Sequence, residues 1–232
     1  MALLELRNVV KTYTDGERSP VTALQATDLI IGPGEFVCLA GPSGAGKSTL
    51  LNMMGCIDRP TAGKVLIEGR DTATLSRGQL ARMRRNAFGF VFQSFNLLPV
   101  LSAYENVEYV LLLQGVEEVE RRQRVHDVLE RVGLGRLMDK RPGQLSGGQQ
   151  QRVAAARAIV GRPLMVLADE PTANLDSKTG EELIDLFSAL KQQYQTTFVF
   201  SSHDQAVIQR ARRILAMRDG RIIADDSPPL QQ

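Results

Sequence analysis

Cysteine is scarce in this chain. Its 232 residues hold only Cys38 and Cys56. They do not form a metal-ligating spacing. One falls in an apparent buried strand and the other at a helix end, which points to reduced thiols in a cytosolic protein. Long apolar runs are lacking too. The longest candidate, Tyr109 to Leu113, is bounded by Glu108 and Gln114, well short of the ~18 residues a membrane span needs. Any work at a membrane would therefore need another chain to span it. Met1 is followed by "ALLELRNVV", too short and too soon charged for a secretory leader, so none is expected. Charge of one sign is lacking as well: 28 Lys and Arg face 26 Asp and Glu, a net charge of +2. That is too small to argue for nucleic-acid binding by bulk electrostatics. There are no internal repeats and no low-complexity segments.

What is present is an ordinary globular composition, 43% hydrophobic and 23% charged, in a chain long enough for one large domain or a core with an attached subdomain. Strands are expected at 3–10, 26–31, 35–41, 64–69, 88–93, 164–169 and 196–202. A hairpin is expected around Asp219-Gly220. Helices are expected at 46–57, 76–85 and 177–193. From about 100 to 160 the periodicity is helical, with Val125, Val128, Leu129 and Val132 on one face. Glu117–Arg121, Glu118–Arg122 and Glu120–Arg124 form i,i+4 pairs on the other. Continuous apolar strands alternating with helices predict an α/β fold with a parallel sheet buried on both faces. His126 lies in the amphipathic helix and reads as an ordinary helix residue with no functional role. The basic run 77–86 reads as a solvated helix face.

Chemistry enters at "GPSGAGKST", residues 41–49. Gly41, Gly46, Lys47 and Ser48 fit the phosphate-loop spacing, with a strand before and a helix after. Glycines let successive N–H groups turn inward, and the helix adds its positive end. Lys47 supplies a point charge for phosphates and Ser48 a hydroxyl for Mg²⁺. Downstream, "LMVLADE" ends an apolar strand in Asp169 and Glu170. The first carboxylate is placed for a magnesium shell and the second for orienting or deprotonating a water.

Further along, "LSGGQ" at 145–149 opens a helix on a serine and two glycines, with no charge in its first turn. Together these motifs resemble the ATP-binding-cassette (ABC) ATPases, and the resemblance covers almost the whole chain. It implies a phosphate-loop NTPase core with a mainly parallel sheet, an N-terminal antiparallel β region and an inserted helical subdomain. The core would take 1–93 and 161–232, and the helical subdomain 94–160. By resemblance, ATP is bound by Tyr13, which stacks on adenine, by Gly41, Pro42, Ser43, Gly44, Ala45, Gly46, Lys47, Ser48 and Thr49, and by Gln93. Mg²⁺ is arranged by Ser48, Gln93 and Asp169. Glu170 is the general base, with Lys47 and His203 completing the catalytic set. Taken alone, Tyr13 would read as loop surface and His203 as a strand-end histidine.

The resemblance also implies a head-to-tail homodimer. Leu145, Ser146, Gly147, Gly148 and Gln149 would meet the other protomer's ATP, and Asp176 would communicate across the dimer. "GCIDRPTAGKVLIEG" and "FGFVFQSFNLLPVLSAYENV" look like the branch that holds macrolide exporters, lipoprotein-release ATPases and a cell-division ATPase. The expected partner is an integral membrane permease with a large periplasmic region, and the expected place is the cytoplasmic face of the inner membrane. The apolar stretch after Gln93 would suit a groove for a short partner helix. An alternative is a mechanical regulator that drives a cell-division partner without transporting anything. A soluble cassette acting on DNA or ribosomes fits less well. Gln93 and Leu145 are only 52 positions apart, no cysteine pair lies between them, and there is one phosphate loop.

Overall fold

The computed structural model describes residues 2–14 and 19–226. Among the described residues, ten strands and seven α-helices follow in chain order. They are β1 (Leu4–Tyr13), β2 (Val21–Ile31), β3 (Phe36–Ala40), α1 (Lys47–Met54), β4 (Ala62–Ile67), β5 (Arg70–Asp71), α2 (Arg77–Ala87), β6 (Phe88–Phe92), α3 (Ala103–Gln114), α4 (Glu118–Arg131), α5 (Gly147–Ile159), β7 (Met165–Asp169), α6 (Ser177–Tyr194), β8 (Thr197–Ser202), α7 (Gln205–Ile208), β9 (Arg213–Arg218) and β10 (Arg221–Asp226). None of the described helices is long and apolar enough to cross a membrane.

Two sheets form. A four-stranded one has the order β2-β1-β4-β5, and its β1–β2, β1–β4 and β4–β5 pairs are antiparallel. A six-stranded one runs β10-β9-β3-β8-β7-β6, parallel except for the terminal β9–β10 hairpin. Successive side chains on a strand point to opposite faces. The large sheet shows the consequence. Phe36, Cys38, Val166, Ala168, Phe198 and Phe200 face a core shared with α3, α4, α5 and α6. Val37, Leu39, Met165, Leu167 and Val199 face a second core, under the antiparallel sheet and α1. Both faces are apolar, so these strands read as unbroken hydrophobic runs. Every strand expected from sequence is found, and the hairpin turns at Asp219 (φ 48°) and Gly220 (φ 74°).

Several helices start where polar side chains cap them. In α2 and α3 a serine accepts from the third helical N–H, and the residue there reaches back: Ser76 with Gln79 and Ser102 with Glu105. One expected pair fails. Arg121 bonds Glu108 of α3 at 3.0 Å and the Val116 carbonyl at 2.8 Å, not Glu117. Glu117 is the extended residue before α4 begins, so the one-turn geometry of an i,i+4 pair is not established there. Glu118–Arg122 and Glu120–Arg124 do form. His126 is exposed.

Both thiols are buried and free. Burial pushes Cys38 up to about 12 and Cys56 to about 11, which leaves them protonated and inert at neutral pH.

Gly89 in β6 permits a close approach. A Cβ added there would collide with the Ala158 carbonyl of α5, a backbone atom that cannot swing aside. Gly89→Ala should therefore lower stability by about 1–3 kcal/mol or more, read as a fall in the urea midpoint. An unchanged midpoint would contradict this packing.

Candidate functional site

The loop between β3 and α1 builds the site. Gly44 (φ 80°) and Gly46 (φ 98°) sit in left-handed backbone, which turns the chain back over the start of α1. Gly46 is itself the N-cap and offers no side-chain bond, so the first N–H groups of α1 remain open to a ligand. Lys47, only 6% exposed, folds under the loop. Its Nζ donates to the Gly41 carbonyl at 2.7 Å and the Pro42 carbonyl at 3.1 Å. It also lies 3.1 Å from Glu170 Oε1. All three ammonium donors therefore have oxygen partners.

Glu170 ends β7 and joins the halves of the site. Its other oxygen, Oε2, is 3.0 Å from His203 Nδ1, just beyond β8. The imidazole itself is open to solvent, 63% exposed. A cavity of about 600 Å³ is lined by Pro42, Ser43, Gly44, Gly46, Lys47, Ser48, Thr49, Gln93, Glu170 and His203. Ala23 of β2 lines it too, which the sequence patterns had not marked, and so does Ala173. The loop, the carboxylate, the glutamine and the histidine expected from sequence thus share one space. Asp169 lies beside it, with Oδ1 accepting from the Ser201 hydroxyl at 2.7 Å. Among the described residues no cluster of three or more His, Cys, Asp or Glu could hold a metal unaided. A Ser48–Gln93–Asp169 donor set suits a Mg²⁺ that arrives with phosphate oxygens and waters.

Some expected residues stand apart. Tyr13 ends β1 at 41% exposure and is not among the cavity residues. The Lys11 ammonium sits 4.8 Å from its ring centroid, so one face is already in a cation–π contact. Leu145 to Gln149 do not line the cavity of their own chain either.

The signature helix α5 is also capped, a point the glycines had obscured. Ser146 accepts from the Gln149 N–H at 3.3 Å, and Gln149 Oε1 accepts from the Ser146 N–H at 2.9 Å. Gly148 has an internal reason as well: a Cβ there would press within 2.8 Å of the Thr179 methyl. Gly147 would meet nothing closer than 3.7 Å. The cap leaves the N–H groups of Gly147 and Gly148 without a hydrogen bond among the described residues.

Three side chains hold the segment around Gln93 by its carbonyls. Gln151 of α5 reaches the Phe92 carbonyl at 3.5 Å and Pro171 at 2.7 Å. Asn174 reaches the Gln93 carbonyl at 2.9 Å. Arg157 of α5 forks onto the carbonyls of Phe95 at 2.8 Å and Asn96 at 2.5 Å. Burial holds Arg157 below its ordinary pKa.

A family model for ABC transporters matches residues 24–173. The chain belongs to the ABC transporter family. An ABC transporter ATP-binding protein of Thermotoga maritima is 50% identical, over 95% of this chain and 93% of its own length. A macrolide export ATP-binding/permease protein, MacB, of Marinobacter nauticus is 47% identical over 96% of this chain. The chain spans only 34% of that relative. The solved ATP-binding cassette MJ0796, described as the dimeric post-hydrolysis state bound to ADP and Pi, matches with a TM-score of 0.88 and 44% identity. That match covers 97% of this chain and 98% of the other.

Asp176 begins the last helix of the site. It caps α6, accepting from the Thr179 hydroxyl at 2.6 Å and the Thr179 N–H at 3.0 Å. Those bonds, the hydroxyl's first, hold its carboxyl below the usual range. A depressed carboxylate stabilises the fold above its unfolded pKa and loses that contribution as pH falls through the folded value. Asp176→Ala should therefore lower the melting temperature more at about pH 7 than at about pH 3. Equal losses at both pH values would contradict the cap.

Proposed function

We propose that this ABC protein is an ATP-hydrolysing subunit whose head-to-tail dimer drives a transmembrane partner, in export, extrusion or lipoprotein release. One observation carries the reading. Lys47 and His203 converge on Glu170 in the phosphate-loop cavity, while Gly147 and Gly148, whose N–H groups are free among the described residues, do not line that cavity. A helix N-terminus without bulk or charge in its first turn keeps a partial positive end, and here two of its N–H groups have no partner among the described residues. A second copy's nucleotide would satisfy it. The dimeric MJ0796 cassette and the ADP and Pi it holds support that arrangement.

Each residue then has a role set by its place. The loop amides and Lys47 hold the phosphates. On nucleotide binding Lys47 exchanges its Glu170 contact for a phosphate, which frees that carboxylate to take a proton from water. His203, already beside Glu170, holds the attacking water and contacts the γ-phosphate. Ser48, Gln93 and Asp169 would hold Mg²⁺, which would offset the charge on the phosphates. Tyr13 stacks on adenine through the ring face that Lys11 leaves open. Asp176 fixes the turn that faces the partner protomer. No covalent intermediate is needed; positioning and charge stabilisation carry the rate.

The helical segment 94–160, which we read as a subdomain, moves with Gln93. Beside it lies a groove of about 790 Å³ lined by Phe90, Phe92, Val110 and Leu113 with Arg82 and Arg85 at its edge. It suits a short amphipathic segment of the membrane partner. With such a partner, the location we propose is the cytoplasmic face of the membrane. The MacB relatives, named as joint ATP-binding and permease proteins, support both the partner and the export direction.

Glu170→Gln should bind ATP without turning it over and accumulate as a dimer in gel filtration with ATP. An unchanged monomer peak with normal turnover would overturn the assignment. Lys47→Ala should abolish nucleotide binding in calorimetric titration, and undiminished affinity would contradict the cradle.

A further inference from the structure

Ser201 belongs to no motif of the sequence, yet it sits at the junction of the two acidic residues. β7 and β8 run parallel with Ala168 beside Phe200, so the next step along both strands brings Asp169 alongside Ser201. By alternation both side chains point to the face of Val199 and Leu167, the core under the antiparallel sheet. Ser201 is a polar residue at the end of an apolar row, with no exposed surface. Its hydroxyl has two partners. It donates to Asp169 Oδ1 at 2.7 Å and accepts from the Glu170 N–H at 2.8 Å.

The second bond matters because of the backbone at Glu170. That residue has φ 45°, in left-handed space that side-chain-bearing residues seldom enter. Such a conformation persists only where its surroundings over-determine it, and the relaxed alternative would swing the carboxylate elsewhere. The strained conformation aims the two carboxylate oxygens at Lys47 (3.1 Å) and His203 (3.0 Å).

We infer that Ser201 is a positioning residue for hydrolysis: its hydroxyl ties Asp169 to the backbone of Glu170 and so sets the direction of the Glu170 carboxylate. The inference rests on Glu170 acting as the base. Ser201 does not line the nucleotide cavity, so it touches neither substrate nor attacking water. Removing it takes the partner from the Glu170 N–H in a part-buried place and the donor from Asp169. The phosphate cradle is untouched. The loss therefore falls on kcat and spares KM for ATP.

The test is steady-state ATPase of the full chain, with thermal melts, for the native protein and for Ser201→Ala, Ser201→Cys, Ser201→Thr and Glu170→Gln. Cysteine refills the space with a weak donor and acceptor, whereas threonine keeps the hydroxyl. Ser201→Ala and Ser201→Cys should each lower kcat by about tenfold, the worth of one strong hydrogen bond, with KM within about twofold. Ser201→Thr should retain most of the native kcat. Recovery of native kcat in Ser201→Cys would reduce Ser201 to a space filler and overturn the inference. So would Ser201→Ala with native kcat, or a loss confined to KM. Full turnover in Glu170→Gln, or none in the native chain, would instead remove the base assignment beneath it.

Discussion

An ammonium taken out of water must be surrounded by oxygen, and Lys47 shows what that demands. Its carbonyl partners come from the loop after β3, and its carboxylate partner comes from the end of β7. Desolvating such a charge without partners would cost several kcal/mol. The loop curl, the left-handed glycines and the strained turn at Glu170 all serve to bring oxygen to one nitrogen. They also make the site bistable in chemistry: the lysine is shared between a carboxylate of its own chain and any phosphate that enters.

The sheet supplies the positions. β3, β8, β7 and β6 are neighbours and parallel, so their C-terminal ends fall at one edge. Along that edge lie the phosphate loop, Ser201 and His203, Asp169 and Glu170, and Gln93. Crevices at the carboxyl ends of parallel strands are where α/β proteins bind ligands. The buried apolar rows on both faces hold those ends rigid, so the precision of the polar site is inherited from the hydrophobic packing beneath it.

Much of this was legible in the sequence, and the reason is locality. The phosphate loop, "LMVLADE" and "LSGGQ" each carry their chemistry within a few adjacent residues, where spacing along the chain equals spacing in the fold. The strands were legible because their apolar runs are unbroken. What escaped was set by register between distant segments. Ser201 gains its meaning from β7, Ala23 from the return of β2 over the loop, and Arg121 from Glu108 on another helix. The cap at Ser146 and the close packing at Gly148 escaped for a different reason. One residue there serves both its own helix and a surface, and the surface reading had crowded out the local one.

Gly89 carries a mechanical consequence. With no side chain on the strand, the β6 backbone lies directly against the α5 backbone at Ala158, so no layer of compressible or rotatable groups separates them. The strand that leads into Gln93 and the helix that begins at the signature therefore behave as a single stiff lever. A displacement applied at one end is delivered at the other without being absorbed on the way.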